Sequence, residues 1–406
     1  GRKTVLRSPA PMPDRPTASP PMRTLVVIHS LKMGGMERVA VNLADAFASE
    51  GHDSHLLSCR NRPNDLKPSD SRVTLHHWDQ FQRLMKSVVG IPVFLLSRLF
   101  LGVILPRSHF MWVGWLQGWL LKRHIHKLEQ QHGRFDRIIF RGLGTFKYFW
   151  SFRDDRCTYV LENVIHYDRP LWQKRWEWKL VLQDRHLVCV SSGVEDSARE
   201  AFSKGAITPR SLRVITNPCP VEQIRAQAEQ TDPDIPDTPY IINVARLVPQ
   251  KGQALLLEAF ARADIPHQLV IVGEGPLRQE LEQKARSLGI ADRVFFAGKR
   301  ANPYPWMKRA DLFVLASEYE GLGIVLTEAL ACGTPILSTD SRGGVRFVFR
   351  GELEQFLTPA TAEGLATGLE STVARLPLTV QDEWLAPFRS DVVTDAFLSQ
   401  PEVAAP

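Results

Sequence analysis

The chain has 406 residues, 44% hydrophobic and 23% charged; these globular values exclude a wholly disordered or fibrous chain, and the length predicts two domains of roughly 150–200 residues. Residues 1–218 hold 33 Lys and Arg against 19 Asp and Glu, a balance of +14, and residues 219–406 hold 17 against 25, a balance of −8, so the basic half points to a polyanionic partner such as an anionic lipid surface, a phosphorylated glycan or a nucleic acid. The five cysteines (Cys59, Cys157, Cys189, Cys219 and Cys332) are far apart and form no C-x-x-C, which excludes a disulfide framework or cysteine zinc site and favours a reducing compartment.

Residues 1–21 carry six prolines, several cations and no apolar run; they are expected to be a disordered leader without a secretory signal. The run 25–28 reads as a buried parallel strand. After it come the loop Lys32-Met33-Gly34-Gly35, a helix over 37–50 with Val39, Leu43, Ala46 and Phe47 on its apolar face, and a strand over 54–59. Strand, glycine loop, helix and strand make a βαβ unit. Residues 81–121 break the rhythm with Phe, Leu, Val and Trp, and strands return at 137–140, 157–161 and 186–191.

The Pro- and Asp-rich stretch 229–239 places a boundary near 219–238. Beyond it, strands are predicted at 240–244, 268–272, 294–296, 312–315 and 335–338. Helices are predicted at about 251–264, 276–288, 303–310, 323–332 and 361–374. The fold class is therefore α/β, with two Rossmann-like domains over 22–218 and 219–375 facing a central cleft. A tail over 376–406 holds a short helix at 390–398. Ligands of such sheets sit outside the carboxyl ends of the strands.

Two constellations fall at those ends. In Glu320-Gly321-Leu322-Gly323-Ile324-Val325-Leu326-Thr327-Glu328, the glycines allow close backbone approach and the helix start favours an anion. Glu328 lies about two turns from Glu320, so one acid can meet a sugar while the other accepts from ribose hydroxyls. The plainer alternative is a helix start with solvated acids. In Asn243-Val244-Ala245-Arg246-Leu247-Val248-Pro249-Gln250-Lys251-Gly252, two cations five residues apart across a turn can converge on a diphosphate, one as a fork and one as a point charge. Ordinary surface basicity is the alternative there.

These two motifs, with LVIVGEGPLR (269–278), RVFFAGKR (293–300), VSSGVEDSARE (190–200), VITNP (214–218) and GGMERVAVNLADAFASEGH (34–52), resemble the retaining glycosyltransferases of glycosyltransferase family 4, which adopt the two-domain GT-B fold. The likeness covers most of 22–345 and is poor over 81–135 and the tail. It implies that Arg246 and Lys251 hold a donor diphosphate, that Glu328 binds the nucleotide ribose and that Glu320 lies near the transferred sugar. Gly321, Leu322 and Gly323 would offer backbone amides, Lys299 and Arg300 would meet the base largely through backbone, and Gly34 and Gly35 would close over the phosphates. His166 is the candidate for donor-sugar contact, although Tyr167 separates it from Asp168 where the family often has a direct His-Asp or His-Asn pair. Glu162, Asn163, Glu37 and Arg38 are candidate acceptor contacts.

The D-x-D string Asp232-Pro233-Asp234 lies in the Pro-rich linker and reads as a polar hinge; no histidine pair has zinc spacing, so no metal is expected. Residues 81–153 hold twelve Lys and Arg against two Asp and Glu. Arg98 and Pro92 interrupt the apolar run 88–105, arguing against a transmembrane helix. Basic residues beside Trp and Leu suit a helix or hairpin in the headgroup region, with core helices as the alternative. The expected function is transfer of a sugar, with retention, from a nucleotide-sugar, most commonly a UDP-sugar in this family, to a membrane-associated glycan in lipopolysaccharide or polysaccharide assembly. The enzyme would sit at the inner face of the cell membrane, with no nucleic-acid partner. A nucleotide-sugar 2-epimerase of the same fold and a non-catalytic membrane scaffold with a vestigial nucleotide site are the competing readings.

Overall fold

The computed structural model describes residues 20–30, 35–60, 66–105, 108–165 and 171–401. Gly34, His166 and all but the last two residues of the expected leader lie outside the described residues.

The described residues form two parallel sheets. The first contains β1 (Arg23–Ile28), β2 (Asp53–Ser58), β3 (Thr74–His77), β4 (Arg137–Arg141), β5 (Cys157–Leu161), β6 (His186–Cys189) and β7 (Ser211–Val214). Its order is β3-β2-β1-β4-β5-β6-β7. The second is built from β8 (Tyr240–Val244), β9 (Gln268–Val272), β10 (Val294–Gly298), β11 (Leu312–Leu315), β13 (Ile336–Thr339) and β15 (Leu357–Thr358), in the order β10-β9-β8-β11-β13-β15. The two-residue strands β12 (Tyr319–Glu320) and β14 (Arg342–Gly343) pair apart from it.

Central strands are covered by helices on both faces, so they read as continuous apolar runs. Leu25, Val26 and Val27 of β1 are fully buried, and Val26 pairs with Leu56 on one side and Ile139 on the other. Helix Gly35–Ser49 buries Val39, Ala40, Leu43, Ala44 and Phe47. Chain order reverses between β1 and β4, and again between β8 and β11, which opens a crevice at the carboxyl edge of each sheet.

Two differences from the sequence reading have local causes. β6 stops at Cys189 because the Ser191 side chain accepts from Val194 N (3.2 Å) and caps helix Ser192–Gly205. The strands β3, β7 and β15 escaped notice because they are edges: His76, His77, Ser211 and Arg213 break the apolar run that a covered strand needs. The tail carries the expected short helix. This helix, Ser390–Leu398, crosses back onto helix Gly35–Ser49, with Phe397 and Phe47 at 6.4 Å between ring centroids. Arg137 Nη2 donates to Leu398 O at 3.0 Å.

Residues 80–132 form helices Gln80–Lys86 and Gly90–Leu96, a five-residue π-helical turn Ser97–Leu101, a last turn Gly102–Ile104 and the long helix His109–His132. No single helix among the described residues is long and apolar enough to cross a membrane. The five cysteines are all buried as free thiols.

Candidate active site

The carboxyl edges of the two sheets enclose a cavity of about 850 Å³, within the range of small-molecule sites. The first domain contributes Gly35, Arg38, Asn42 and Lys67 to its wall; the second contributes Arg246, Lys251, Glu274, Lys299, Arg300, Tyr304, Glu320, Gly323 and Glu328.

The two motif loops are stitched together. After β8 the chain makes a 3₁₀ turn at Pro249–Lys251 and reaches Gly252 at φ +66°. A Cβ there would stand 1.8 Å from Ala316 O, so only glycine lets this loop press against the loop after β11. Glu318 N donates to Gln250 O (2.8 Å) and Gln250 Nε2 to Tyr319 O (3.0 Å). The contact carries Lys251 Nζ to 2.6 Å from Glu320 Oε1, which also accepts from Ser317 Oγ at 2.7 Å. Glu320 is thus an oriented, largely buried carboxylate. Arg246 projects exposed from the end of β8 with no ion pair recorded among the described residues.

Gly323, at φ +78°, opens helix Ile324–Ala331, whose first residues line the cavity. One and a half turns along, Glu328 Oε1 accepts from Arg38 Nη2 at 2.8 Å, and its Oε2 accepts from the buried Tyr304 hydroxyl. The carboxylate raises the Arg38 guanidinium above its ordinary value, and burial followed by the Glu328 charge raises the Tyr304 phenol.

Other predicted residues do not reach the wall. Gly321 O accepts from Ser191 Oγ at 2.6 Å, and a Cβ on Gly321 would meet Glu162 O, so this glycine serves the contact between domains. The Leu322 side chain is buried in the core. Glu162, read as an acceptor contact, instead takes both bonds of a fork from the fully buried Arg141 (2.6 and 3.0 Å). Burial raises its carboxyl against the pull of that guanidinium. Asn163 Oδ1 accepts from Val164 N at 2.9 Å. Glu37 sits half-buried in the first turn of its helix, off the wall.

The Arg300 side chain turns away to Asp234 Oδ2 (2.6 Å) and over the Trp306 ring (4.7 Å), while Asp232 Oδ2 accepts from Trp306 Nε1 (2.8 Å). The D-x-D string is thus tied into this linker cluster. Among the described residues no group of three or more His, Cys, Asp or Glu could hold a metal ion.

The sequence reading missed Lys67 and Tyr304, and it quoted the Gly273-Glu274-Gly275 turn as part of a motif without giving it a place on the wall. The last carried a signal, glycines directly after a strand: a Cβ on Gly273 or Gly275 would meet Ala245 O or Leu247 O. Tyr304 and Lys67 are brought in by loop packing and carried none.

Two doubly wound domains share a crevice lined by cations, a helix start and paired carboxylates, on the frame of the GT-B glycosyltransferases. The chain belongs to glycosyltransferase family 4: the family of that name matches residues 33–223, and the family "Glycosyl transferases group 1" matches residues 226–375. It is 32% identical over 219 residues to the lipopolysaccharide core biosynthesis glycosyltransferase LpsE of Rhizobium meliloti, covering 52% of this chain and 62% of that protein. It is 34% identical over 175 residues to the N-acetylgalactosamine-N,N'-diacetylbacillosaminyl-diphospho-undecaprenol 4-alpha-N-acetylgalactosaminyltransferase of Campylobacter jejuni, covering 42% of this chain and 47% of that protein. The chain thus matches about half to three-fifths of these relatives' length. Anabaena HepE, solved in complex with UDP and glucose, shares the fold with a TM-score of 0.63 at 18% identity, over 92% of this chain and 98% of that one.

Proposed function

We propose that the protein transfers a sugar from a UDP-sugar, with retention of anomeric configuration, to a lipid-held glycan of the cell surface. The observation that carries the reading is the convergence of Arg246, Lys251, Glu320 and Glu328 on one cavity. Support for the donor comes from HepE, which holds UDP and glucose in the same fold. Support for the acceptor comes from LpsE, named for lipopolysaccharide core, and from the Campylobacter enzyme, named for a diphospho-undecaprenol substrate.

As the glycosidic bond breaks, the diphosphate gains charge. That Arg246, Lys251 and the first residues of helix Ile324–Ala331 line one cavity supports their meeting a leaving phosphate. Such preset donors stabilise the charged transition state without reorganising. The incoming hydroxyl attacks from the leaving-group face, and a phosphate oxygen takes its proton, so no protein base is required. Glu320, held by Lys251 and Ser317, positions the sugar rather than attacking it.

A thermal-shift and hydrolysis screen over UDP-, GDP- and ADP-sugars tests the reading. UDP is expected to raise the melting temperature and one UDP-sugar to release UDP slowly. No response to any nucleotide-sugar would remove it, and conversion of UDP-GlcNAc to an epimer without transfer would replace it with the epimerase.

A further inference from the structure

The helical segment after β3 carries a surface unlike the rest of the molecule. Helices Gln80–Lys86 and Gly90–Leu96 and the turns to Ile104 pack on helix His109–His132 around a small core of their own, Leu84, Val113 and Leu116, separate from the main core. The outward face is apolar: Val88 is 95% exposed, Ile104 78% and Trp115 61%, with Leu99, Phe100 and Val103 beside them. So many large apolar side chains left exposed within one helical segment mark an interaction site.

Its charge identifies the partner. Between Asp79 and Glu129 the sequence has no acidic residue and seven Lys and Arg. Arg123 lies 4.9 Å over the exposed Trp119 ring and Arg98 5.7 Å over Phe94, so cations border the apolar face. Tryptophan with flanking cations is the composition that settles at a bilayer interface. A second copy fits worse, because an isologous contact would set the same cations against each other. The segment also leaves the first sheet at its carboxyl edge, where Gln80 Nε2 lies 3.3 Å from His29 Nδ1 just beyond β1. The cavity opens on that edge.

We propose that this face docks the protein on an anionic lipid bilayer, helix Gly90–Leu96 and the turns to Ile104 lying in the headgroup plane with Trp115 and Trp119 at the interface. The pair of helical stretches bends by 104°, which suits an in-plane wedge rather than a span. The proposal deepens the reading of a lipid-held acceptor, but its test involves no turnover, so its failure would leave the transferase reading standing.

Flotation of the full chain with vesicles of phosphatidylcholine alone, or with about one third phosphatidylglycerol, reads the docking. The wild-type protein is expected to float with the anionic vesicles and to be released by salt. Leu99→Ser/Phe100→Ser/Ile104→Ser is expected to lose roughly tenfold or more in partition while keeping its melting temperature and its response to UDP. Should that variant fold poorly, Lys86→Gln/Arg98→Gln/Lys122→Gln decides, with loss confined to the anionic vesicles. Equal flotation of either well-folded variant with the wild type would overturn the proposal. So would a wild-type dimer that ignores vesicles and that the serine variant dissociates, which would assign the face to self-association.

Discussion

Arg38, in the first turn of helix Gly35–Ser49, donates across the cavity to Glu328 of the opposite domain, Nη2 to Oε1 at 2.8 Å. Tyr304 holds the other oxygen from within the second domain. The carboxylate expected to receive a ribose is therefore already engaged twice. Each oxygen keeps a further lone pair, so a ribose diol entering there competes with these donors for approach to the carboxylate. Tyr304 is buried and Arg38 is 39% exposed at its side chain, so Arg38 is the one to give way. Released, it still lines the cavity and is free to meet a phosphate.

Glu328→Ala is accordingly expected to weaken UDP binding roughly 10- to 100-fold, the loss of charge-assisted hydrogen bonds worth about 1.5–3 kcal/mol. Arg38→Ala removes a competitor that is part-exposed and leaves the buried Glu328 carboxylate without its charged partner. It should tighten uridine without tightening UDP. Calorimetry with both ligands separates the effects, and weaker uridine binding in Arg38→Ala would mean that Arg38 itself holds the nucleoside.

Lys251 and Glu320 form the second pair. Lys251→Met should lower kcat by about 10²–10³, as for loss of one preset transition-state donor. Glu320→Gln keeps the Ser317 bond but loses the ion pair. It too should lower kcat, with substrate KM less affected. The decisive measurement is azide addition to Glu320→Gln: recovery of turnover would make Glu320 a nucleophile instead of a positioning group.

The alternation of covered strands and glycine-stopped helices made the two-domain frame legible; Arg246 and Lys251 were legible because they follow β8, and Glu320 and Glu328 because they flank the glycine-led helix start beyond β11. What was not legible depends on contacts between distant segments. Glu162 sits at a strand end like the true wall residues, and only the fold reveals that Arg141, buried beneath it, takes both its oxygens. Gly321 and Gly323 look alike in sequence, yet one packs against the other domain and the other opens a helix on the cavity. Lys67 and Tyr304 come from a loop and a short helix with no motif of their own.

A cluster of histidines predicts acid sensitivity. His55 Nδ1 and His76 Nε2 lie 2.9 Å apart with stacked rings, and His132 stands against both. Burial, then the neighbouring histidines His55 and His132, pushes His76 down to about 4; burial, then Arg83 and Lys127, does the same to His124. Their unfolded value is about 6.5, so between about pH 6.5 and 4 the unfolded chain binds more protons. The stability they contribute is present above that window and lost as pH falls through it. Urea midpoints should hold steady above about pH 6.5 and drop below it, and His76→Phe should flatten part of the drop. An equal drop in the variant would assign the sensitivity to other groups.

The last helix ties the two ends of the described chain together. Phe397 is fully buried, packed edge-on against the equally buried Phe47, and Arg137 and Arg213 donate to carbonyls of Leu398 and Ala396 at 3.0 Å each. Phe397→Ala should cost about 3–5 kcal/mol, the price of a large core aromatic. That loss should fall on the first domain, although only nine residues follow the substitution in the 406-residue sequence. Hydrogen exchange localises it: amides of β1 and of helix Gly35–Ser49 are expected to lose protection while those of β8 and β11 keep theirs. Loss confined to the second sheet would mean that this helix belongs to the domain that precedes it in sequence.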